Sequence, residues 1–340
     1  MQENKVALIN LPIVDIILLC KRGRNKLMFQ IFVDSAANLP AEEVRKYGIN
    51  VISFVNFVNG ESIVNFDINL TPEEERELGT KFYNSIREGA QVKTSLVNQA
   101  DFMEHFEPVL KNGEDIIYIS LSKNISGTYN AAKLAKEDLM EDYPDRKIYL
   151  VDSLNASLAQ GILAVYACQM KEKGMDVEEV ARVLTDSVVN MNGVFTVGDL
   201  KYLAASGRIN SATAVVGNVL SIKPILRGNK EGFIVQFKKT RGRKKSLDEL
   251  VDLVCDNIVE PEKQIVGIAQ ADAYEESLYI VDKIKERVNP KGFINTSYDY
   301  CTGAHVGPDA IALFFIGYDR ELEGKPAGGQ NALPKVLKYI

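Results

Sequence analysis

Apolar and polar positions along the chain alternate between two rhythms. Phe29–Val33, Val51–Val58, Asp115–Ser120 and Lys147–Val151 are short runs rich in Ile, Val, Phe and Tyr, the mark of strands buried on both faces. The last two each lead through a small-residue turn into a stretch of helical periodicity. Strands alternating with helices predict a mostly parallel, doubly wound sheet. The helix ends agree. Thr71-Pro72-Glu73-Glu74 supplies an N-cap, a proline in the first turn and a glutamate at the third position. Asp176 with Glu179 repeats that logic after Gly174 closes the helix before it.

A second region opens near Asp176. A helical pattern covers Asp176–Met191, a strand-like Val194–Val197 follows, and a short helix ends at Gly207. Four apolar runs come next: SIKPIL from Ser221, FIVQFKK from Phe233, QIVGIAQA from Gln264 and IALFFIG from Ile311. Ile222–Leu226 and Phe233–Lys238 flank Gly228–Gly232 and predict a hairpin. Helical patterns at Ser246–Ile258 and Tyr274–Val288 separate the later strands. The expected fold class is therefore α/β, built as two α/β domains. Residues 28–175 would carry a mostly parallel doubly wound sheet, and residues 176–318 a mixed sheet. Residues 319–340 form a tail, Gly- and Pro-rich from Glu321 and expected to be loosely ordered.

Composition narrows the possibilities further. With 340 residues, 46% hydrophobic and 25% charged, the chain has the balance of a globular protein with room for two cores. A net charge of −6 argues against nucleic acid as a partner. The four cysteines (Cys20, Cys168, Cys255, Cys301) are spread singly, which suggests a reduced, cytoplasmic interior. Val6–Cys20 is an apolar stretch of 15 residues broken by Pro12 and Asp15, with its basic residues after it. That order is the reverse of a signal peptide, and the stretch is too short to span a bilayer. Residues 1–27 are read as an extension outside the fold, with Met28 as the native start. A membrane-surface anchor and an extra packed helix are the alternatives, and truncation at Met28 separates them.

Catalytic motifs are scarce. The sequence has no GxxxxGK[ST] phosphate loop, no GxGxxG turn and no GxSxG elbow. Ser120-x-x-Lys123 matches SxxK, a pattern short enough to arise by chance. His105 and His305 are the two histidines, too few for a tris-histidine zinc site, so no metal is expected. What the chain does offer is four small polar turns, each after a strand or opening a helix: Asp34-Ser35, Thr94-Ser95, Ser126-Gly127-Thr128-Tyr129 and Asp152-Ser153. In a doubly wound fold, ligands sit at the carboxyl ends of the strands, where hydroxyls and free N–H groups at a helix N-terminus attract anions. Any one of these turns could be a plain N-cap; four together favour an anion-binding crevice. His305 stands in Gly303-Ala-His-Val-Gly-Pro, expected to be a rigid glycine-framed loop, where it could donate to a carboxylate. His105, in DFMEHFEPVL, is read as an ordinary helix residue. Lys238–Lys245 (KKTRGRKK) holds six basic residues in eight without interleaved aromatics, which fits a solvated face or an acidic docking partner better than nucleic acid.

From Met28 to about Tyr318 the chain resembles the DegV family of bacterial fatty-acid-binding proteins. The resemblance is carried by VDSAANLP (Val33–Pro40), TS (Thr94-Ser95), ISLSKNISGTYNAA (Ile119–Ala132), VDSLNASLAQG (Val151–Gly161), LKYLAASGRI (Leu200–Ile209), SIKPIL (Ser221–Leu226), TRGRKK (Thr240–Lys245) and GAHVGPDAIALFF (Gly303–Phe315), in the family's order. It implies that one long-chain fatty acid is clasped between the two domains and that no other cofactor is needed. The carboxylate would rest on Thr94 and Ser95, on the Ser126-Gly127 helix terminus and near His305, with the tail in an apolar tunnel. It further implies a carrier without catalysis of its own, presenting the carboxylate to a separate fatty acid kinase for phospholipid synthesis and not inserting stably into membranes. Arg208 and Arg241 match positions used around the exposed carboxylate and the kinase contact. Two departures stand out. Leu96-Val97-Asn98 replaces the usual proline and further serine, so that loop would lose a hydroxyl. Asp309 replaces a glycine and would add negative charge near His305. The alternative is an enzyme, a phosphoryl or acyl transferase acting on a small carboxylate.

Overall fold

The computed structural model describes residues 28–209, 222–320 and 334–340; the extension before Met28, Ser221 and most of the Gly/Pro-rich tail lie outside them. In chain order the first part runs β1 (Phe29–Asp34), α1 (Ala41–Tyr47), β2 (Asn50–Ile52), β3 (Val55–Val58), β4 (Glu61–Val64), α2 (Pro72–Arg87), β5 (Val92–Thr94), α3 (Gln99–Lys111), β6 (Asp115–Ser120), α4 (Thr128–Asp142), β7 (Ile148–Asp152), α5 (Leu158–Glu172) and α6 (Val177–Ser187). The second comprises β8 (Met191–Thr196), α7 (Lys201–Ala205), β9 (Ile222–Gly228), β10 (Ile234–Arg241), α8 (Arg243–Asn257), β11 (Ile265–Gln270), α9 (Tyr274–Lys285), β12 (Gly292–Ser297), α10 (Tyr300–Val306) and β13 (Ile311–Ile316).

The first sheet has the order β2-β1-β6-β7 with every neighbour parallel, as the continuous apolar runs predict. Its strand order reverses direction between β1 and β6, which places a crevice at their carboxyl ends. The second sheet is mixed, β10-β9-β8-β13-β11-β12, parallel only between β11 and β12. β9 and β10 form the expected hairpin. The Thr71 capping box and the Asp176 cap also form as expected.

The two sheets share α5. Every residue from Leu158 to Cys168 is buried, including Gln160. A helix apolar on all sides belongs inside a core, and α5 packs on β1 and β6 on one flank and on β8, β11 and β13 on the other. The Gln160 side chain donates from Nε2 to the Ile119 carbonyl at 2.8 Å. Gly161 lets the helix approach the first sheet: a Cβ there would lie 2.7 Å from the Ala37 carbonyl oxygen and 2.8 Å from Leu39 Cγ.

Three expectations need correction. Val51–Val58 is not one strand. The chain leaves the first sheet after Ile52, Phe54 turns into the core with its N–H on Ser35 Oγ (3.0 Å), and β3 joins a separate antiparallel sheet β4-β3-β5. The helix after Asp176 ends at Ser187, because Met191 is already the first residue of β8. The end of the tail is docked rather than loose: Val336 and Leu337 are fully buried, the Val336 N–H donates to Ser187 Oγ (3.2 Å) and Lys335 pairs with Asp186 at 2.7 Å. Burying two aliphatic side chains outweighs the Gly/Pro composition before them.

Candidate functional site

A cavity of about 250 Å³ lies between the two sheets. Its walls come from the segments that follow β2, β5, β6 and β7 (Phe54, Thr94–Leu96, Leu121, Ile125–Gly127, Asn155–Ser157) and from β8, β9, β13, the β9–β10 turn and α10. The lining is largely apolar, with Phe54, Leu96, Leu121, Phe195, Leu203, Ile234, Val306 and Phe314 among it. Its polar residues include Thr94, Ser95, Ser126, Asn155, Ser157, Thr302, His305 and Arg208. This is the mix that fits an elongated apolar guest with one polar end.

All five expected ligand residues, Thr94, Ser95, Ser126, Gly127 and His305, line this cavity. Thr94 ends β5, and its Oγ1 lies 3.1 Å from His305 Nε2 although 211 residues separate them. Ser126 Oγ accepts from the Thr128 N–H (3.3 Å) and is 2.9 Å from Thr128 Oγ1. Gly127 caps α4 with no side-chain bond, and the first turn of α4 carries no acidic residue. Nothing on the helix itself offsets its positive end, so an anion is favoured there. Ser95 differs from its neighbour: its hydroxyl donates to the Val55 carbonyl (2.8 Å) and ties β5 to β3.

His305 lies in a helix, not in the expected loop. Asp299 caps that helix, accepting from the Thr302 N–H, and Gly307 ends it with φ +73°. Gly303 and Gly307, which read as loop residues, serve close packing instead. A Cβ on Gly303 would collide with Tyr83, and one on Gly307 with Tyr202. Loss of hydration, with the nearby Arg208 charge adding to it, pushes the His305 imidazole down to about 4. The ring is therefore neutral at physiological pH, able to accept from Thr94 on one nitrogen and donate from the other. Because its folded value lies below that of an exposed histidine, the neutral ring contributes stability at pH 7 that is lost as pH falls from about 6.5 toward 4.

Arg208 also lines the cavity. Its guanidinium is held by two main-chain carbonyls, Nε on Ile125 (3.2 Å) and Nη1 on Ser206 (2.6 Å), so it bridges the Ser126 turn and the end of α7. Arg241 is not part of this lining and is exposed at the end of β10. Within the basic cluster, Lys238 pairs with Glu249 (2.7 Å) and Arg243 with Glu276 (2.5 Å), while Lys239, Arg241 and Lys245 are exposed.

Two of the four polar turns do not face the cavity. Asp34 is fully buried, accepting from the Tyr118 hydroxyl (2.6 Å) and the Ala36 N–H (3.1 Å); burial pushes its carboxyl up to about 6. Ser153 Oγ donates to the Asn155 carbonyl (3.2 Å), and Asp152 accepts from the Leu154 N–H (2.9 Å). Asp34 caps the short helical turn Ser35–Ala37, and Asp152 and Ser153 brace the turn that follows β7. The replaced loop has its own logic: Leu96 lines the cavity, Val97 is buried, and Asn98 builds a capping box with Asp101 on α3. Asp309 is drawn to Arg87 Nη2 at 2.8 Å. His105 is an exposed helix residue, as expected. Asn155–Ser157, Cys301 and Thr302 escaped the sequence reading. For Thr302 the available signal was the cap spacing Asp299-x-x-Thr302.

Among the described residues no group of three or more His, Cys, Asp and Glu side chains could hold a metal ion, and no helix is long and apolar enough to cross a membrane.

Fold and cavity together define an α/β protein whose parallel and mixed sheets flank a largely apolar cavity. The chain belongs to the DegV family, whose model, described as that of an uncharacterised protein family, matches residues 28–317. It is 39% identical over 294 residues, 86% of this chain and 99% of the other, to a DegV domain-containing protein of Clostridium perfringens. Among solved structures it is similar to a DegV lipid-binding protein of Thermotoga maritima, with TM-score 0.74, 28% identity, and 88% of this chain and 100% of that one covered. A second Thermotoga maritima protein, whose structure reveals fatty acid binding function, aligns with TM-score 0.71 at 27% identity over 84% of this chain and 98% of that one.

Proposed function

We propose that this chain binds one long-chain fatty acid and carries it in the cytoplasm, presenting the carboxylate to a separate fatty acid kinase that forms the acyl phosphate. We further propose that residues 28–175 and 176–318 act as two domains closing on the ligand; every strand of the parallel sheet lies in the first range and every strand of the mixed sheet in the second. The observation that carries the reading is an apolar cavity whose polar end is Thr94, Ser126 and a neutral His305, in a family with lipid-binding members.

The energetics suit such a guest. A C16–C18 acid has about fifteen methylenes worth roughly 0.8 kcal/mol each on burial, on the order of 12 kcal/mol before ordering costs. Tight binding then needs no ion pair to the head group. Neutral hydroxyl and amide donors orient a carboxylate while leaving its oxygen nucleophilic toward a phosphoryl donor, so no catalytic group of this chain is required.

The test is native mass spectrometry of the purified protein, followed by extraction and fatty-acid analysis. One equivalent of a C14–C18 acid is expected. An empty protein that also refuses added oleate and palmitate overturns the reading and revives the transferase alternative. Thr94→Val with Ser126→Ala should impair carboxylate placement and kinase-dependent phosphorylation far more than stability; equal losses would make both residues caps. Arg241→Ala should leave lipid binding intact and slow kinase-dependent turnover by about tenfold, the scale of one lost charge-assisted contact. Loss of lipid instead would place Arg241 within the binding site.

A further inference from the structure

The polar end of the cavity depends on a short helix. α10 has seven residues, too few to persist on its own propensity, yet it supplies Cys301, Thr302, His305 and Val306 to the lining. Its start is fixed by Asp299: the Thr302 N–H donates to Oδ1 (2.6 Å), the Thr302 hydroxyl to Oδ2 (3.1 Å), and the Gly303 N–H to the Asp299 carbonyl (2.8 Å). We propose that Asp299 is a positioning residue for the ligand carboxylate, and that its ionisation sets how firmly α10 holds Thr302 and His305 at the cavity. This rests on the fatty-acid reading above.

The surroundings make that ionisation responsive. Asp34 faces Asp299 from β1, Tyr83 from α2, and Tyr298 and Tyr300 flank it in sequence. Glu75 and Asp67 share with it the lining of a small cavity of about 70 Å³. Cys301 stands two residues on, and the Arg208 charge acts on it. Loss of hydration, reinforced by the Asp34 charge, pushes the Asp299 carboxyl up to about 7 against the bonds from Thr302. Above that pH the ionised group accepts two charge-assisted bonds. Below it, a proton on Oδ2 displaces the Thr302 hydroxyl and weakens the cap. Ligand affinity should therefore rise with pH through this range. Global stability responds in the opposite direction: the folded state binds the extra proton between about 4 and 7, so this group's contribution is lost as pH rises.

Displacement of parinaric acid fluorescence by palmitate, read from pH 6 to 8.5, tests the coupling. Wild type should bind about fivefold more tightly at pH 8 than at pH 6, the scale of one cap. Asp299→Asn, which still caps but cannot ionise, should show a flat profile, and its melting-temperature advantage over wild type should grow with pH. Glu75 is pushed up to about 7 as well, so Glu75→Gln must keep the wild-type slope. A flat wild-type profile, a slope surviving in Asp299→Asn, or a slope lost in Glu75→Gln would each overturn the proposal. Failure of wild type to bind palmitate at pH 8 would instead remove the fatty-acid reading, and this proposal with it.

Discussion

Gly161→Val should leave the protein unfolded or only partly folded at 37 °C, with a stability loss of about 3 kcal/mol or more. The reason is the position of α5. From Leu158 to Cys168 its whole circumference is buried, with the parallel sheet on one side and the mixed sheet on the other. At Gly161 even a Cβ would stand 2.7 Å from a backbone oxygen and 2.8 Å from Leu39 Cγ, and a backbone oxygen in β1's following turn cannot swing aside. On the opposite flank, Gly267 of β11 admits Leu158 and Ile162 just as closely, so α5 has no direction in which to retreat. Overpacking of this kind costs roughly 1–3 kcal/mol for a small intrusion, and valine adds two methyl groups. Gly161→Ala gives the graded comparison. It gains about 1 kcal/mol of helix propensity, so its net loss should be visibly smaller than valine's. Urea unfolding followed by circular dichroism measures both. Wild-type stability in Gly161→Val would mean that the sheets are not clamped on α5.

The legibility of this fold in its sequence follows the same division between buried and exposed backbone. β1, β6 and β7 announce themselves because parallel strands covered on both faces are apolar without interruption, as in IIYIS (Ile116–Ser120). The three-stranded sheet did not, because β3, β4 and β5 are three or four residues long and largely exposed. No window of that length distinguishes an apolar period of two from chance. The place of β13 between β8 and β11 is set by pairing with β8, more than 100 residues back along the chain, and with β11, more than 40 residues back, and no local pattern encodes it. The site divides similarly. Thr94, Ser126, Gly127 and His305 belong to recognisable segments and do line one cavity. Asp34 and Ser153 have the same residue types at the same kind of turn, yet point into structure. Residue type shows that a hydroxyl ends a strand; only packing decides whether ligand or protein receives it.

Gly303→Ala is the complementary case, a methyl group that should abolish most ligand binding without touching the cavity. α10 rests on α2 through this glycine. An added Cβ would fall 3.0 Å from Tyr83 Cζ and 3.2 Å from Cε1, and still nearer the phenolic oxygen. Tyr83 cannot yield easily, since it is fully buried, wedged at 5.2 Å from the Phe82 ring, and donates to the Tyr298 carbonyl at 3.2 Å. The helix must move instead, carrying His305 away from Thr94 and Thr302 from the cavity wall. Stability should fall by about 1–3 kcal/mol, and palmitate affinity by at least tenfold, because the head-group donors no longer converge. Tyr83→Phe supplies the decisive partner. Alone it leaves the Tyr298 carbonyl without its donor, at about 1 kcal/mol. Combined with Gly303→Ala it removes the nearest clashing atom, so the double variant should recover part of both stability and affinity, a favourable coupling in a double-mutant cycle. Affinity that stays at the Gly303→Ala level in the double variant, or a single variant that binds as wild type does, would show that His305 is placed by something other than the packing of α10 on Tyr83.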